Sequence, residues 1–182
     1  MEIVKALQKY ETKDTQNYVW ENTVLKTGSR WTLQQGVQRM QQHCQETTAI
    51  LNKLLQQGKL KEDFSIVELF CGDAAVLYYL KKQFPKCKPL GLDLLYHSTW
   101  DTIKTQQPDQ QFSQADFFKL YHDGFKFDLD VMITFNTYRG WNNDVGPLRH
   151  FNMNLEQFEG WARESFSYIV VDGVNGAKAQ LL

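Results

Sequence analysis

Residues 66–77 read IVELFCGDAAVL, and they contain an apolar run, a glycine and a second apolar run in close succession. Four apolar residues surround Glu68, and a short apolar run of this kind is typical of a central strand in a parallel sheet. Gly72 then permits a tight reversal into a helix. A carboxylate inside an apolar run is costly without a partner, so we expect Glu68 to face a crevice at the carboxyl end of the strand. The stretch therefore predicts a strand, a turn that binds a ligand, and a helix.

This stretch resembles the first motif of class I S-adenosylmethionine-dependent methyltransferases, in which an acidic residue near a strand end precedes a glycine-rich turn. It is most similar to the D-L-F-C-G-x-G variety. Of the usual glycines only Gly72 is present, and Phe70 and Ala74 stand where others often occur. The resemblance implies that Glu68 and Gly72 bind the cofactor S-adenosylmethionine.

Two further acids follow at the intervals that the family shows. Asp93 ends the second predicted strand, where the family's acid binds the ribose hydroxyls, and a carboxylate has enough acceptor positions for both hydroxyls of a cis-diol. The resemblance implies that Leu94 lies beside the adenine face. It also implies that Asp116 accepts a hydrogen bond from the adenine amino group, and that the backbone N–H of Phe117 serves the adjacent ring nitrogen.

Apolar runs at residues 127–134 and 168–171 predict a fourth and a fifth strand, the fifth ending at Asp172. Strands that alternate with helix-length segments indicate an α/β fold, a doubly wound, Rossmann-like, mostly parallel sheet with helices on both faces. We expect residues 32–182 to form one methyltransferase-like domain.

The first third of the chain supplies an N-terminal helical extension. Apolar positions at helical spacing predict one helix over residues 32–57, which Gly58 ends. Residues 18–26 are rich in strand formers and predict a short hairpin. We expect residues 1–31 to be an extension or a lid over the site. Alternatively, Trp31 is a staple that holds the start of the long helix.

The carboxyl end of the chain departs from the family pattern. A complete methyltransferase sheet continues past the fifth strand with a helix and a terminal antiparallel strand pair, whereas Leu182 follows Asp172 closely. We therefore expect these elements to be missing and the fifth strand to be an open edge, which proteins normally cover. Three alternatives remain: the N-terminal hairpin covers the edge of the fifth strand, a second copy of the chain covers it in a homodimer, or the chain is a shortened form.

The segment FNTYRGWNND follows the fourth strand, where the family builds its catalytic loop. It resembles the N-P-P-Y loop of enzymes that methylate amino groups on planar nitrogens, without the prolines and with one residue less. The resemblance implies that Asn136 and Tyr138 are catalytic and orient the acceptor. Tyr138 and Trp141 are equally compatible with packing, or with an aromatic wall for a small molecule. His97, His122 and His150 are each candidate bases if the acceptor is a hydroxyl, although lone histidines are more often surface or capping residues.

Composition limits the partners. The net charge of -1 and the pI of about 6.4 make a nucleic-acid partner unlikely. Three cysteines without metal-ligand spacing indicate reduced thiols, no metal site and a cytoplasmic location. No apolar segment is long enough to span a bilayer, and the N-terminus lacks the apolar centre of a signal peptide. We expect neither a membrane nor a metal among the partners.

Each acid taken alone also fits a helix N-cap or a salt bridge. The nearest rival fold is a dinucleotide-binding domain, but that needs G-x-G-x-x-G, and GDAAVL lacks two of the glycines. The expected activity is methyl transfer to a small-molecule acceptor. The alternatives are a non-catalytic scaffold or regulatory subunit, favoured by the reduced glycine motif, and an enzyme that uses S-adenosylmethionine for other chemistry.

Overall fold

Six strands form a single sheet in the computed structural model, which describes residues 2–11, 31–135, 154–172 and 178–182. The order across the sheet is β3-β2-β1-β4-β5-β6, and every pair is parallel except β5 with β6. The strands are β1 (Ser65–Leu69), β2 (Lys88–Asp93), β3 (Gln111–Gln114), β4 (Leu129–Thr134), β5 (Phe166–Asp172) and β6 (Ala179–Leu181). The predicted mostly parallel sheet is confirmed.

Helices cover both faces of this sheet, because successive residues of its central strands point to opposite sides. The described α-helices are α1 (Glu2–Leu7), α2 (Leu33–Arg39), α3 (Gln41–Gln56), α4 (Ala75–Gln83), α5 (Thr99–Gln106), α6 (Phe117–His122) and α7 (Leu155–Ser165). Ile66 packs with α3 and α4, whereas Val67 packs with α1, α6 and α7. The fold is therefore doubly wound, with the strand order reversing at β1.

The prediction of one helix over residues 32–57 is wrong. The segment forms α2 and α3, which are separated at Met40, where φ is -98° and ψ is 13°. The break lets α2 pack on the glycine turn while α3 packs on the sheet. Apolar spacing continues through Met40 without interruption, so the pattern contains no signal for the break. Gly58, with φ of +64°, lies directly beyond α3 as predicted.

The prediction that β5 is an open edge without an antiparallel partner is also wrong. β6 pairs antiparallel with β5, with Asp172 opposite Ala179. The N–H of Ala179 donates to Glu46 Oε2 of α3 at 2.6 Å, which fixes the start of β6. The hairpin predicted at residues 18–26 lies outside the described residues. A homodimer that pairs through this edge of the sheet would therefore pair at β6 rather than at β5.

The described N-terminal residues lie at the opposite edge of the sheet, beside β3. Glu11 forms an antiparallel bridge with Ala115, and the N–H of Asp116 donates to the carbonyl of Tyr10 at 3.1 Å. Leu7 and Tyr10 are buried in the core that covers β1 and β2. Residues 2–11 therefore pack beside Asp116, one of the predicted site residues.

Candidate functional site

The turn after β1 lies at the point where the strand order of the sheet reverses, which is where open α/β sheets bind ligands. Three of its residues have left-handed backbones: φ is 58° at Phe70, 51° at Gly72 and 56° at Ala74. For residues other than glycine this conformation costs about 1–2 kcal/mol each. Two of these left-handed residues, Phe70 and Ala74, are therefore not glycine, and they stand where the family often has glycine.

Asp93, at the end of β2, is bonded directly to this turn. Its Oδ2 accepts a hydrogen bond from the N–H of Gly72 at 2.8 Å, and its Oδ1 accepts one from Leu95 at 3.0 Å. Burial raises the pKa of Asp93 above its ordinary value, while His97 and these N–H donors act in the opposite direction. A carboxylate oxygen has two lone pairs, so Asp93 keeps acceptor capacity for a ligand.

His97 lies beside Asp93, a placement that the sequence analysis did not predict. A Cβ atom built on Gly72 would lie 4.0 Å from His97 Cε1, so the imidazole reaches the turn. The side chain is half-buried. Its position four residues after Asp93, where the chain leaves the second strand, is the sequence signal that could have placed it in the site.

Glu68 lies on the face of the sheet that α3 and α4 cover, at the level of Ile133 in β4. It is 5% exposed, and its Oε2 has no hydrogen-bond partner among the described residues. Burial raises the pKa of Glu68 well above its ordinary value, and the charges of Asp73 and Asp93 raise it further. The predicted site therefore contains a buried carboxyl oxygen without a hydrogen-bond partner.

Asp116 caps the N-terminus of α6. Its Oδ1 accepts hydrogen bonds from the N–H groups of Phe118 at 2.9 Å and Lys119 at 3.2 Å. Asp116 therefore acts as a helix N-cap, which is the alternative role considered for each acid in the sequence. The side chain of Phe117 is buried and contacts Trp161 edge to face, and the role of its backbone N–H remains a prediction.

The predicted cofactor residues meet along the carboxyl ends of β1, β2 and β3. Gly72 and Asp93 are in direct contact, and Leu94 follows Asp93 as a buried residue. The ring of Phe70 packs edge to face against Phe117, with 5.1 Å between centroids, and so connects the turn to the start of α6. The predicted catalytic residues, Asn136 and Tyr138, lie outside the described residues and remain predictions.

Cys71, inside the turn, is a packing residue. It is 5% exposed, and burial raises the pKa of its thiol. Within the described ranges no group of His, Cys, Asp and Glu side chains is arranged to hold a metal ion. In the same part of the chain, no helix has both the length and the apolar character needed to cross a membrane.

Comparison with known proteins gives matches in structure only. No protein-family model matches the chain, and no curated protein sequence matches it. A co-crystal structure of WbdD with a kinase inhibitor is similar over 69% of this chain and 27% of the other, with 11% identity and a TM-score of 0.52. Another WbdD structure is described as a bifunctional kinase-methyltransferase.

This chain has a doubly wound, Rossmann-like fold of the kind that class I methyltransferases have. A S-adenosylmethionine-dependent methyltransferase from Aquifex aeolicus matches 66% of this chain and 61% of its own, with 15% identity and a TM-score of 0.43. Coclaurine N-methyltransferase bound to N-methylheliamine and S-adenosylhomocysteine matches 68% of this chain and 34% of its own, with 14% identity and a TM-score of 0.45. This chain thus spans only part of the length of the structures that it resembles.

Proposed function

We propose that this chain binds S-adenosylmethionine at the carboxyl end of β1 and transfers its methyl group to a small-molecule acceptor. One observation carries the proposal: the turn at residues 70–74 has three left-handed residues, and its central N–H is bonded to Asp93. This turn lies at the reversal point of the strand order, which is where open α/β sheets bind their ligands.

The residues around the turn fit the chemical groups of this cofactor, which carries an ammonium, a carboxylate, a sulfonium and a ribose diol but no phosphate. The buried Oε2 of Glu68, for which the described residues supply no hydrogen-bond partner, suits a cation. Asp93 suits the diol, because a carboxylate accepts two hydroxyl donors. Asp116 and the backbone of Phe117 are proposed to bind the adenine edge, with Leu94 against its face.

When bound, the cofactor supplies a methyl group that its positively charged sulfur already activates. The remaining task of the protein is to hold the acceptor in line and to exclude water. Because β4 pairs directly with β1, the segment after β4 begins beside the turn. Asn136 and Tyr138 belong to that segment, and we assign to them the orientation of the acceptor and an aromatic wall.

Charge and cysteine content support the choice of a small acceptor and a cytoplasmic location. A net charge of -1 provides no excess of cations for a phosphate backbone. All three cysteines are free and buried, which is compatible with a reducing compartment.

The proposal is tested by incubating the protein with methyl-labelled S-adenosylmethionine and a metabolite extract. We expect the label to appear in small molecules, to be absent with Asp93→Ala, and to persist with Asp123→Ala, which removes an exposed acid at the end of α6. Cofactor binding without label transfer would indicate the non-catalytic scaffold. Cofactor breakdown without methylated products would indicate other chemistry, and absence of binding would contradict the proposal.

A further inference from the structure

Two side chains of α5 hold the backbone carbonyls of the glycine turn. The hydroxyl of Thr99 donates to the carbonyl of Asp73 at 3.0 Å, and the indole Nε1–H of Trp100 donates to the carbonyl of Gly72 at 2.8 Å. Thr99 is 6% exposed and Trp100 is 2% exposed, so both bonds are shielded from water. Hydrogen bonds in such surroundings constrain the groups that they join.

Trp100 is itself held in place by the strands beneath it. Its ring stacks on Phe112 of β3, with 4.9 Å between centroids and 9° between planes. A Cβ atom built on Gly91 of β2 would lie 2.6 Å from the Phe112 ring, so the glycine leaves the space that this ring occupies. The position of the indole donor therefore follows from the packing of β2 and β3.

With these bonds, three successive peptide groups of the turn are fixed. The first is held by the bond from the Gly72 N–H to Asp93. The second is held by Trp100 through the carbonyl of Gly72, and the third by Thr99 through the carbonyl of Asp73. The third group also donates, from the N–H of Ala74 to the carbonyl of Cys71 at 2.8 Å.

The turn needs such restraint because Phe70 and Ala74 are left-handed without being glycine. Side chains with a Cβ atom favour the ordinary right-handed or extended regions, and relaxation toward them would rotate the peptide groups that face the ligand. Bonds from a neighbouring helix to both carbonyls oppose that rotation.

We infer that Thr99 and Trp100 are positioning residues, which hold the turn in its ligand-binding conformation before any ligand arrives. The effect on ligand affinity rests on the proposed function, whereas the effect on the turn itself does not. Neither side chain is required to touch the ligand, because both act through the carbonyls of Gly72 and Asp73.

The first experiment measures amide hydrogen exchange in the ligand-free protein. Thr99→Val removes the hydroxyl at nearly constant volume, and Thr102→Val is the matched control on the exposed side of the same helix. We expect Thr99→Val to speed exchange at the amides of Gly72 and Ala74 by about fivefold, the factor that corresponds to one ordinary hydrogen bond. Amides of β4 should be unaffected. Equal exchange in the two variants would overturn the inference.

The second experiment measures the affinity for S-adenosylhomocysteine by calorimetry. We expect Thr99→Val to weaken binding about fivefold relative to Thr102→Val. Ala74→Gly removes the backbone strain, so it should recover most of the loss in the Thr99→Val background, and its effect on affinity should be larger there than in the wild-type background. The same effect of Ala74→Gly in both backgrounds would overturn the positioning role.

The two experiments separate failure of this inference from failure of the proposed function. A wild-type protein that does not bind S-adenosylhomocysteine, but whose turn exchanges faster in Thr99→Val, would refute the proposed function and leave the positioning of the turn standing. Trp100→Phe should reproduce the faster exchange at Gly72, because phenylalanine keeps an aromatic ring against Phe112 and lacks the N–H donor.

Discussion

Gly91→Ala perturbs the packing beneath the candidate site, at a residue that is not itself proposed to bind a ligand. The added Cβ would lie 2.6 Å from Phe112 Cδ1 and 3.0 Å from Cys71 Sγ, both closer than relaxed side chains allow. The Phe112 ring would have to move, and it is stacked on Trp100. Overpacking of this kind costs about 1–3 kcal/mol. Because Cys71 belongs to the constrained turn, we expect Gly91→Ala to lower the free energy of unfolding by an amount in the upper half of that range.

Urea unfolding provides the assay, with Gly160→Ala as the matched control. Gly160 is exposed within α7 and has nothing within 4 Å of an added Cβ, so alanine there should stabilise the protein by about 0.5–1 kcal/mol. Phe112→Leu in the Gly91→Ala background should recover part of the loss of stability, because leucine lacks the contacted Cε1 atom and its δ carbons can rotate away from the added Cβ, as those of a rigid ring cannot. A Gly91→Ala protein as stable as the wild type, or no recovery in the double variant, would refute the reasoning.

Three further predictions concern site residues. Burial raises the pKa of Glu68 above its unfolded value of 4.5, so its stabilising contribution is complete below that pH and is lost as pH rises through the folded pKa. We expect the free energy of unfolding of the wild type, measured by urea titration at a series of pH values above 4.5, to fall as pH rises, and that of Glu68→Gln to fall less. An equal fall in both proteins would contradict this prediction for Glu68. Asp93→Ala should abolish most of the rise in melting temperature that S-adenosylhomocysteine causes, and a full rise would remove Asp93 from the site. Tyr138→Ala should leave cofactor affinity nearly unchanged and lower turnover by a factor on the order of a hundred in steady-state assays, whereas unfolding would make Tyr138 a core residue.

The sequence predicted the parts of the fold that local patterns encode. Apolar runs ending at Leu69 and Asp93 correspond to central strands because both faces of these strands are buried. The position of Asp93 at a strand end placed it near the turn in the sequence, and in the structure its side chain accepts a hydrogen bond from the N–H of Gly72.

The remainder depends on tertiary contacts that no local pattern records. The break at Met40 separates α3 from α2, which packs on the turn. A Cβ atom added at Gly36 of α2 would lie only 2.8 Å from Asp73 Oδ2, so the absence of a side chain at Gly36 permits this close contact. β6 is only three residues long, which is too short for its alternation of apolar and polar residues to identify a strand. Trp100 reads as an ordinary apolar helix residue in the sequence, although its indole bonds the turn.

Calorimetric titration of the wild-type protein tests whether the turn after β1 binds the S-adenosylmethionine class of ligand. The ligands are S-adenosylhomocysteine and, for comparison, a nicotinamide dinucleotide, whose pyrophosphate requires glycines that this turn lacks. The account predicts saturable binding of one S-adenosylhomocysteine per chain and no binding of the dinucleotide. Absence of heat with S-adenosylhomocysteine, or tighter binding of the dinucleotide, would contradict it.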